Sequence, residues 1–559
     1  MRAPQSHRPD RSWLGDALLI GVLALTSACA TVDRRGPSAG TERNWPTYNG
    51  SYAGDRFSQL GEITPKNVSH LKPICTFDTG DKGKAFQTGP LVVDGVIYVT
   101  TDTLTFAIDG ATCAQRWKHE HEFQPRGWLG NNHGAAYLDG RLFRGAADGH
   151  AYAIDAATGR TLWDVVIVDP KRGESLPVAP LAWNGMVFIG NSGGDNFGVT
   201  GRLYALDAQD GHTVWRADIV PEIGPVRATW TKASSTNPPT GGAMWTSFTL
   251  DTSAGLLYVP TGNVAPDFAV DLHPGSSLYA NSVLAIDART GKVAGFIQVV
   301  KHDFHDHDVA APPALVTTRG GQKMALTAAK DGLLYGIDRG GVRPEDAVAT
   351  QAGIAPETLV VRYRSPTTTR ENLDAPLNST GYTRFCPGSQ GGTEWNGPAF
   401  DPRQNIVLVP ATDWCTSVKL ADSGTLEGKP GMPWTGVTNP AESFGKFDPQ
   451  EKWGGWLSAF DADTGALRWK YHSPTPILAA VTATASGLVF TGDLDGNVIA
   501  FDTATGKELW RGSAGQPLAA GIVSYLAGER QLLAVGAGAA SPLWPLKSDS
   551  SRIVVFGLR

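Results

Sequence analysis

The sequence is poor in the features that mark several large protein classes. Only 18% of its 559 residues are charged, the formal sum is −6, and the signs are mixed along the chain. No basic stripe is offered to a phosphate backbone, so nucleic acid is not an expected partner. No CxxCH occurs, so no c-type haem is expected to be attached. Extended helical periodicity is missing as well. Apolar residues alternate or come in short runs bounded by Gly, Asn and Asp, the pattern of strands and turns.

What is abundant is glycine, at 66 residues, and tryptophan, at 17. In a chain several times the usual domain length, this composition suits a turn-rich, repetitive all-β architecture. The first thirty residues differ from the rest. Arg8 and Arg11 precede an apolar run, 17–25, too short to span a bilayer, which ends in TSACA. Residues 1–30 are therefore expected to be a secretory signal and 31–43 a flexible leader, with the main domain at 44–559. Two kinds of processing remain open: ordinary cleavage after Ala30, or a lipoprotein pathway with lipidated Cys29 anchoring the chain to a membrane. Either implies a periplasmic protein. There, four cysteines are expected to form disulfides, and proximity favours Cys75–Cys113 and Cys386–Cys415.

A unit made of an apolar pair, Asp, a Thr-Gly turn and Trp recurs along the chain. It appears as AIDGATCAQRW ending at Trp117, AIDAATGRTLW at Trp163, ALDAQDGHTVW at Trp215, AFDADTGALRW at Trp469 and AFDTATGKELW at Trp510. Degenerate copies are AIDARTGKVAG, with Gly295 in the Trp position, and GIDRGG around Asp338. The aspartates lie mostly 41 to 52 residues apart, close to one four-stranded propeller blade. The interval of 123 between Asp338 and Asp461 leaves room for a further blade around GPAFDPRQNIVLVPA, residues 397 to 411. The expectation is an eight-bladed β-propeller in which each Asp holds its turn and each Trp wedges against the next blade. The stretch 339–379, rich in Pro, Thr and Arg, is read as an excursion over one face.

One segment, Trp245 to Asp308, is chemically dense. GGAMW is followed by LLYVPTGN, ending at Asn263, and then by KHDFHDHD. On their own, Trp245 is another inter-blade tryptophan and Asn263 a turn residue. The last stretch is then a solvated loop, or a histidine metal site through His302, His305 and His307. Asp306 and Asp308, two residues apart, share a face if the chain is extended there.

Together these pieces resemble the pyrroloquinoline quinone (PQQ) dependent alcohol and sugar dehydrogenases. The resemblance runs from NWPTYNGSYAGDRFSQL to LVFTGDLDGNVIAFDTATGKELW and rests most specifically on the blade motif, TGN, the HDxxDxD turn, the lysine of TAAKDGLLYGIDR and CPG…GGTEW. It implies a propeller whose central funnel holds PQQ against Trp245 beside Ca²⁺ or a lanthanide ion. Asp195, Asn263, Asp306 and Asp308 would be the metal ligands. Asp306 would also be the catalytic base, and Lys330 the cation at the reactive quinone oxygens.

The resemblance places Ser192, His133, Gln87, Glu394 and Trp395 at the cofactor, with departures. The vicinal cysteine pair of many relatives is replaced by GWLGNNHG at 127–134, an arginine by His133, and the asparagine of GGxNW by Glu394. The implied activity is oxidation of an alcohol, polyol or sugar-type hydroxyl by metal-assisted hydride transfer to PQQ. Electrons would pass to a separate cytochrome c or membrane quinone. A catalytically silent periplasmic propeller acting as an assembly scaffold is the alternative. Substrate-facing walls are expected from loops 124–132, 266–281 and 339–379.

Overall fold

The computed structural model describes residues 43–82, 85–121, 130–422, 426–437, 439–546 and 548–558. The expected signal, Cys29 and nearly all of the leader lie outside these residues, as do 124–129 of the first wall loop. Among the described residues, no helix is long and apolar enough to cross a membrane.

The chain winds through eight antiparallel blades. Seven are consecutive along the sequence, within 91–120, 136–166, 181–218, 249–298, 314–366, 399–473 and 482–513. The eighth takes three strands from the C-terminal region and its fourth, Leu71–Asp78, from the N-terminal region, which pairs antiparallel with Arg552–Leu558. This pairing joins the N-terminal and C-terminal regions, so that Leu71–Asp78 supplies the outer strand of the last blade and closes the ring. A small sheet of Thr383–Phe385, Thr416–Val418 and Lys446–Phe447 is added beside the ring.

The repeat motif has the local structure its residues dictate. Asp155 ends a strand, and its Oδ1 accepts from the Ala157 and Thr158 amides at 3.1 and 2.8 Å and from the Thr158 hydroxyl at 2.8 Å. In four blades the Trp then reaches the corresponding turn of the next. Nε1 of Trp117, Trp163, Trp215 and Trp469 donates to the carbonyls of Ala156, Ala208, Ala288 and Thr503, each the residue after a motif Asp. The turn glycine is needed there: a Cβ on Gly211 would lie 2.6 Å from the Trp163 ring.

Three junctions depart from the pattern. Residues 339–379 are not only an excursion over a face: Val360–Pro366 is the outer strand of the fifth blade, displaced by the insertion before it. Tyr363 there takes the wedge position, donating to Ala462 O at 2.9 Å. Val348 pairs with Val293 at the edge of the fourth blade, where the motif has Gly295 instead of Trp. At the ring closure, Cys113 stands in the turn-glycine position with φ 61° and is disulfide-bonded to Cys75 of the strand Leu71–Asp78. The second disulfide is Cys386–Cys415, so both pairings are those that proximity favours.

Candidate functional site

In an antiparallel blade, the entry to the first strand and the turn between the second and third strands lie at the same end. Every site residue named from the sequence is carried by one of these two kinds of segment. Gln87, His133, Trp245, Asp306, Asp308, Glu394 and Trp395 precede inner strands, whereas Ser192, Asp195, Asn263 and Lys330 follow second strands. The meander therefore delivers them all to one rim.

A cavity at this rim is lined by Trp245, Asn263, Asp308, Lys330, Glu394 and Asp195, among others. GGAMW and TGN lie side by side there, with Gly242 N donating to Asn263 O at 2.9 Å and Gly262 N to Ala243 O at 2.8 Å. A Cβ on Gly262 would lie 2.8 Å from Asp308 Oδ1, so the middle residue of TGN must be small. Lys330 is the one cationic side chain among the described lining residues. Its Nζ contacts Asp308 Oδ2 at 2.8 Å, lies 3.4 Å from both Asp306 oxygens, and sits 5.7 Å from the Trp245 ring centroid.

The segment carrying Asp306 and Asp308 is not extended: Asp306 has φ 61°, a left-handed conformation that Asp tolerates better than most residues. The two carboxylates are gathered by Lys330 rather than by a shared strand face. Asp308 Oδ1 also accepts from Asn263 N at 2.8 Å. Asp303 fixes the turn from inside, accepting from the His305 and His307 amides at 3.1 and 2.9 Å. Burial pushes Asp303 up to about 7, although those amides oppose the shift.

The remaining sequence-predicted residues are distributed unevenly. Ser192 and Ser175 share a hydroxyl contact of 2.7 Å on the cavity wall. Gln87 lines the cavity, but its amide is held by Ala540 O and Asn131 Nδ2, each at 2.8 Å. His133 does not line the cavity; its ring centroid lies 5.8 Å from that of Trp245 and 5.9 Å from that of Trp395. Burial holds it down to about 3 and therefore neutral, so it brings no charge in the arginine position. Trp395 is fixed by donation to Ala519 O at 2.8 Å. Glu394 is buried with Oε1 unpartnered, and burial raises it to about 7 against the opposing pull of Lys330. Among the described lining residues none comes from 266–281 or 339–379, while Asn131 of the first expected wall loop, Phe444, Ser541 and Leu543 do contribute.

Sequence reasoning missed Asp267. It is fully buried, both of its carboxylate oxygens lack a partner, and oxygens of Asp195, Asp267 and Asp306 lie within 4.8 Å of one another. Burial and the neighbouring carboxylates raise Asp267 and Asp306 well above the usual range, and Asp195 to about 7; Lys330 opposes all three shifts. The available signal was an Asp four residues past the Asn of TGN.

This concentration of oxygen donors fits a hard, highly charged cation better than zinc, because carboxylates with unpaired buried oxygens otherwise carry a large desolvation penalty. Trp245, the neighbouring lysine and the neutral hydroxyls and amides around it fit a planar, anionic organic group. An aromatic wall and, beside the cavity, a buried acidic cluster sharing Asp195 with its lining give this rim the means to hold a cofactor and a metal ion.

The chain belongs to the family of PQQ-dependent dehydrogenases. The family model for the glucose/ethanol/alcohol dehydrogenase β-propeller domain matches residues 45–344. A second model, outer membrane protein assembly factor BamB, matches residues 454–556. The chain is 28% identical over 522 residues to a quinohemoprotein alcohol dehydrogenase of Comamonas testosteroni, covering 89% of this chain and 72% of that one. It is 27% identical over 554 residues to a lanthanide-dependent methanol dehydrogenase of Methylacidiphilum fumariolicum, covering 93% and 88%. The solved structure of a europium-containing methanol dehydrogenase superposes with a TM-score of 0.77 at 24% identity, covering 92% of this chain and 98% of that chain.

Proposed function

We propose that this chain is an exported dehydrogenase that oxidises the hydroxyl of an alcohol, polyol or sugar, using PQQ with Ca²⁺ or a lanthanide. The observation that carries the reading is the group formed by Lys330, Asp306 and Asp308 beside Trp245. Bound together, the quinone supplies a two-electron acceptor and the cation a Lewis acid.

The chain's own residues bind and move the proton. Asp306 accepts the substrate hydroxyl proton on a carboxylate oxygen. Buried among other acids it is a stronger base than a solvated aspartate near ~3.9, provided their charge is balanced. Lys330, which burial would discharge, is held well above its usual value by Asp306, Asp308 and Glu394, and remains a fixed positive charge facing the cavity. Trp245 gives a flat apolar surface, and Asn263, whose amide nitrogen is committed to Val264 O at 3.0 Å, offers its carbonyl oxygen to the cation. Asp195 and Asp308 complete the acidic set, while Ser192, Gln87, Glu394 and Trp395 bound the cavity and His133 backs its aromatic residues.

Electrons then pass to a separate cytochrome c or membrane quinone in the periplasm, with the chain either released by cleavage or held by lipidated Cys29. A silent assembly scaffold is disfavoured, since it leaves the buried acids and Lys330 without a role. The test is reconstitution of the cofactor-free protein with PQQ and Ca²⁺ or La³⁺, followed by dye reduction with a panel of alcohols and sugars. PQQ-dependent reduction is expected. Absence of PQQ binding with either metal would refute the proposal.

A further inference from the structure

A buried carboxylate ordinarily has hydrogen-bond partners or an ion pair, because an unpaired one carries a heavy desolvation penalty. Among the acids at the rim, Asp308 meets this expectation: one oxygen accepts from Asn263 N at 2.8 Å and the other faces Lys330 at 2.8 Å. Asp306 has Lys330 at 3.4 Å. Asp267 is 0% exposed and has a partner at neither oxygen, although it lies with Asp195 and Asp306 in a cluster no wider than 4.8 Å.

Its position is nevertheless built. Residues 433–436 cross the rim and hold the two loops that carry Asp195 and Asp267. Trp434 N donates to Asp195 O at 2.7 Å, and Phe268 N donates to Thr435 O at 2.9 Å. Ala265 N is tied to Thr240 O at 2.9 Å, beside the GGAMW segment. Phe197, two residues beyond Asp195, packs edge-on to Trp434 with ring centroids 4.9 Å apart. Consecutive residues of one strap thus fix two acidic loops from neighbouring blades against each other. An unpartnered carboxylate held in this way fits a coordination site, since donors around an ion with contacts of about 2.3–2.6 Å lie no farther apart than about twice that distance.

We propose that Asp267 is a direct ligand of the cation, forming a carboxylate triad with Asp195 and Asp306, and that Asp308 acts chiefly to hold Lys330 and the Asn263 backbone. The inference rests on the reading of this cavity as a cation site and gives Asp267 the place among the ligands that the resemblance gave to Asp308. Three carboxylates balance the charge of a trivalent ion, which favours a lanthanide over Ca²⁺ at this position.

The experiment is a Tb³⁺ luminescence titration of the full chain freed of metal and cofactor, compared with Asp267→Asn. It is paired with Eu³⁺ emission lifetimes in H₂O and D₂O, which count the waters on the bound ion. Loss of contacts that merely orient a ligand typically weakens metal binding 10–100-fold, so Asp267→Asn is expected to weaken Tb³⁺ at least about tenfold. Bound Eu³⁺ is expected to gain one water. In the metal-free state the variant is expected to melt at a higher temperature than the unsubstituted chain, because an uncompensated buried acid has been neutralised.

Unchanged Tb³⁺ affinity and Eu³⁺ hydration would overturn the assignment of Asp267 alone. A lower melting temperature in the metal-free variant would also overturn it, by showing a structural role. Failure of the unsubstituted chain to bind Tb³⁺ would overturn the metal site itself. Failure of the dehydrogenase reading is read separately, from PQQ-dependent dye reduction.

Discussion

Asp306 and Lys330 come from different blade segments, yet their side chains meet within 3.4 Å. Conversion of Asp306 to Asn preserves size and removes the proton acceptor. Turnover is expected to fall by about 10²–10⁴-fold, the usual contribution of a general base, with PQQ still bound. Dye-reduction rates and the PQQ stoichiometry of the same preparation check this, and unchanged turnover would remove Asp306 from the role of base. Gly262 tests the packing under the acids. A Cβ there would meet Asp308 Oδ1 at 2.8 Å and Ala243 O at 3.1 Å, and overpacking of this kind typically costs about 1–3 kcal/mol. Gly262→Ala is expected to lower the chemical denaturation midpoint and weaken Tb³⁺ binding together. Loss of neither would show that the TGN turn has room to spare.

For the elements, the Asp–Thr–Gly–Trp unit was legible because its first half closes within a few residues: Asp155 holds its own turn through Thr158. Its second half reaches the neighbouring blade, and Trp163→Ala is expected to cost about 3–5 kcal/mol, as large-to-small changes at buried aromatic residues do. A urea titration would check this, and a shift below about 1 kcal/mol would mean that the Trp is not a wedge. Of the three junctions without a Trp, two show why they were less legible. Tyr363 follows an insertion after Asp338 that hides its register, and at the closure a disulfide replaces the indole-on-glycine contact. Cys75→Ser with Cys113→Ser opens that link, and removal of a native disulfide costs about 2–5 kcal/mol in small secreted domains. The double variant is expected to unfold earlier in denaturant, with the difference vanishing when both proteins are reduced.

For the whole molecule, the balance of buried acids and histidines sets a pH dependence. Asp195, Asp303 and Glu394 are raised to about 7 in the folded, metal-free chain, so their contribution to stability is present at low pH and lost as pH rises through that value. His133 and His305, lowered to about 3 by burial, act in the opposite sense, but only below the unfolded histidine value of about 6.5. Between about pH 6.5 and 8 the acids act alone, and the metal-free protein is expected to melt at progressively lower temperatures, a trend that bound Tb³⁺ should suppress. A flat or rising profile in scanning calorimetry would show that these acids are not the controlling groups.

The sequence by itself determined the repeating blades and favoured the disulfide partners, because turns, strand periodicity and short separations are local, whereas the rim residues were named through what the family resemblance implies. Only the tertiary structure decided how the acids divide their work. It placed Asp308 on Lys330 and Asn263, left His133 off the cavity lining beside Trp245 and Trp395, and brought Asp267 to Asp195 through a strap more than 150 residues farther along the chain. No local pattern encodes such a meeting. Asp267 reads in sequence as an ordinary loop residue, and its lack of partners becomes visible only once the ring has closed and excluded water from it.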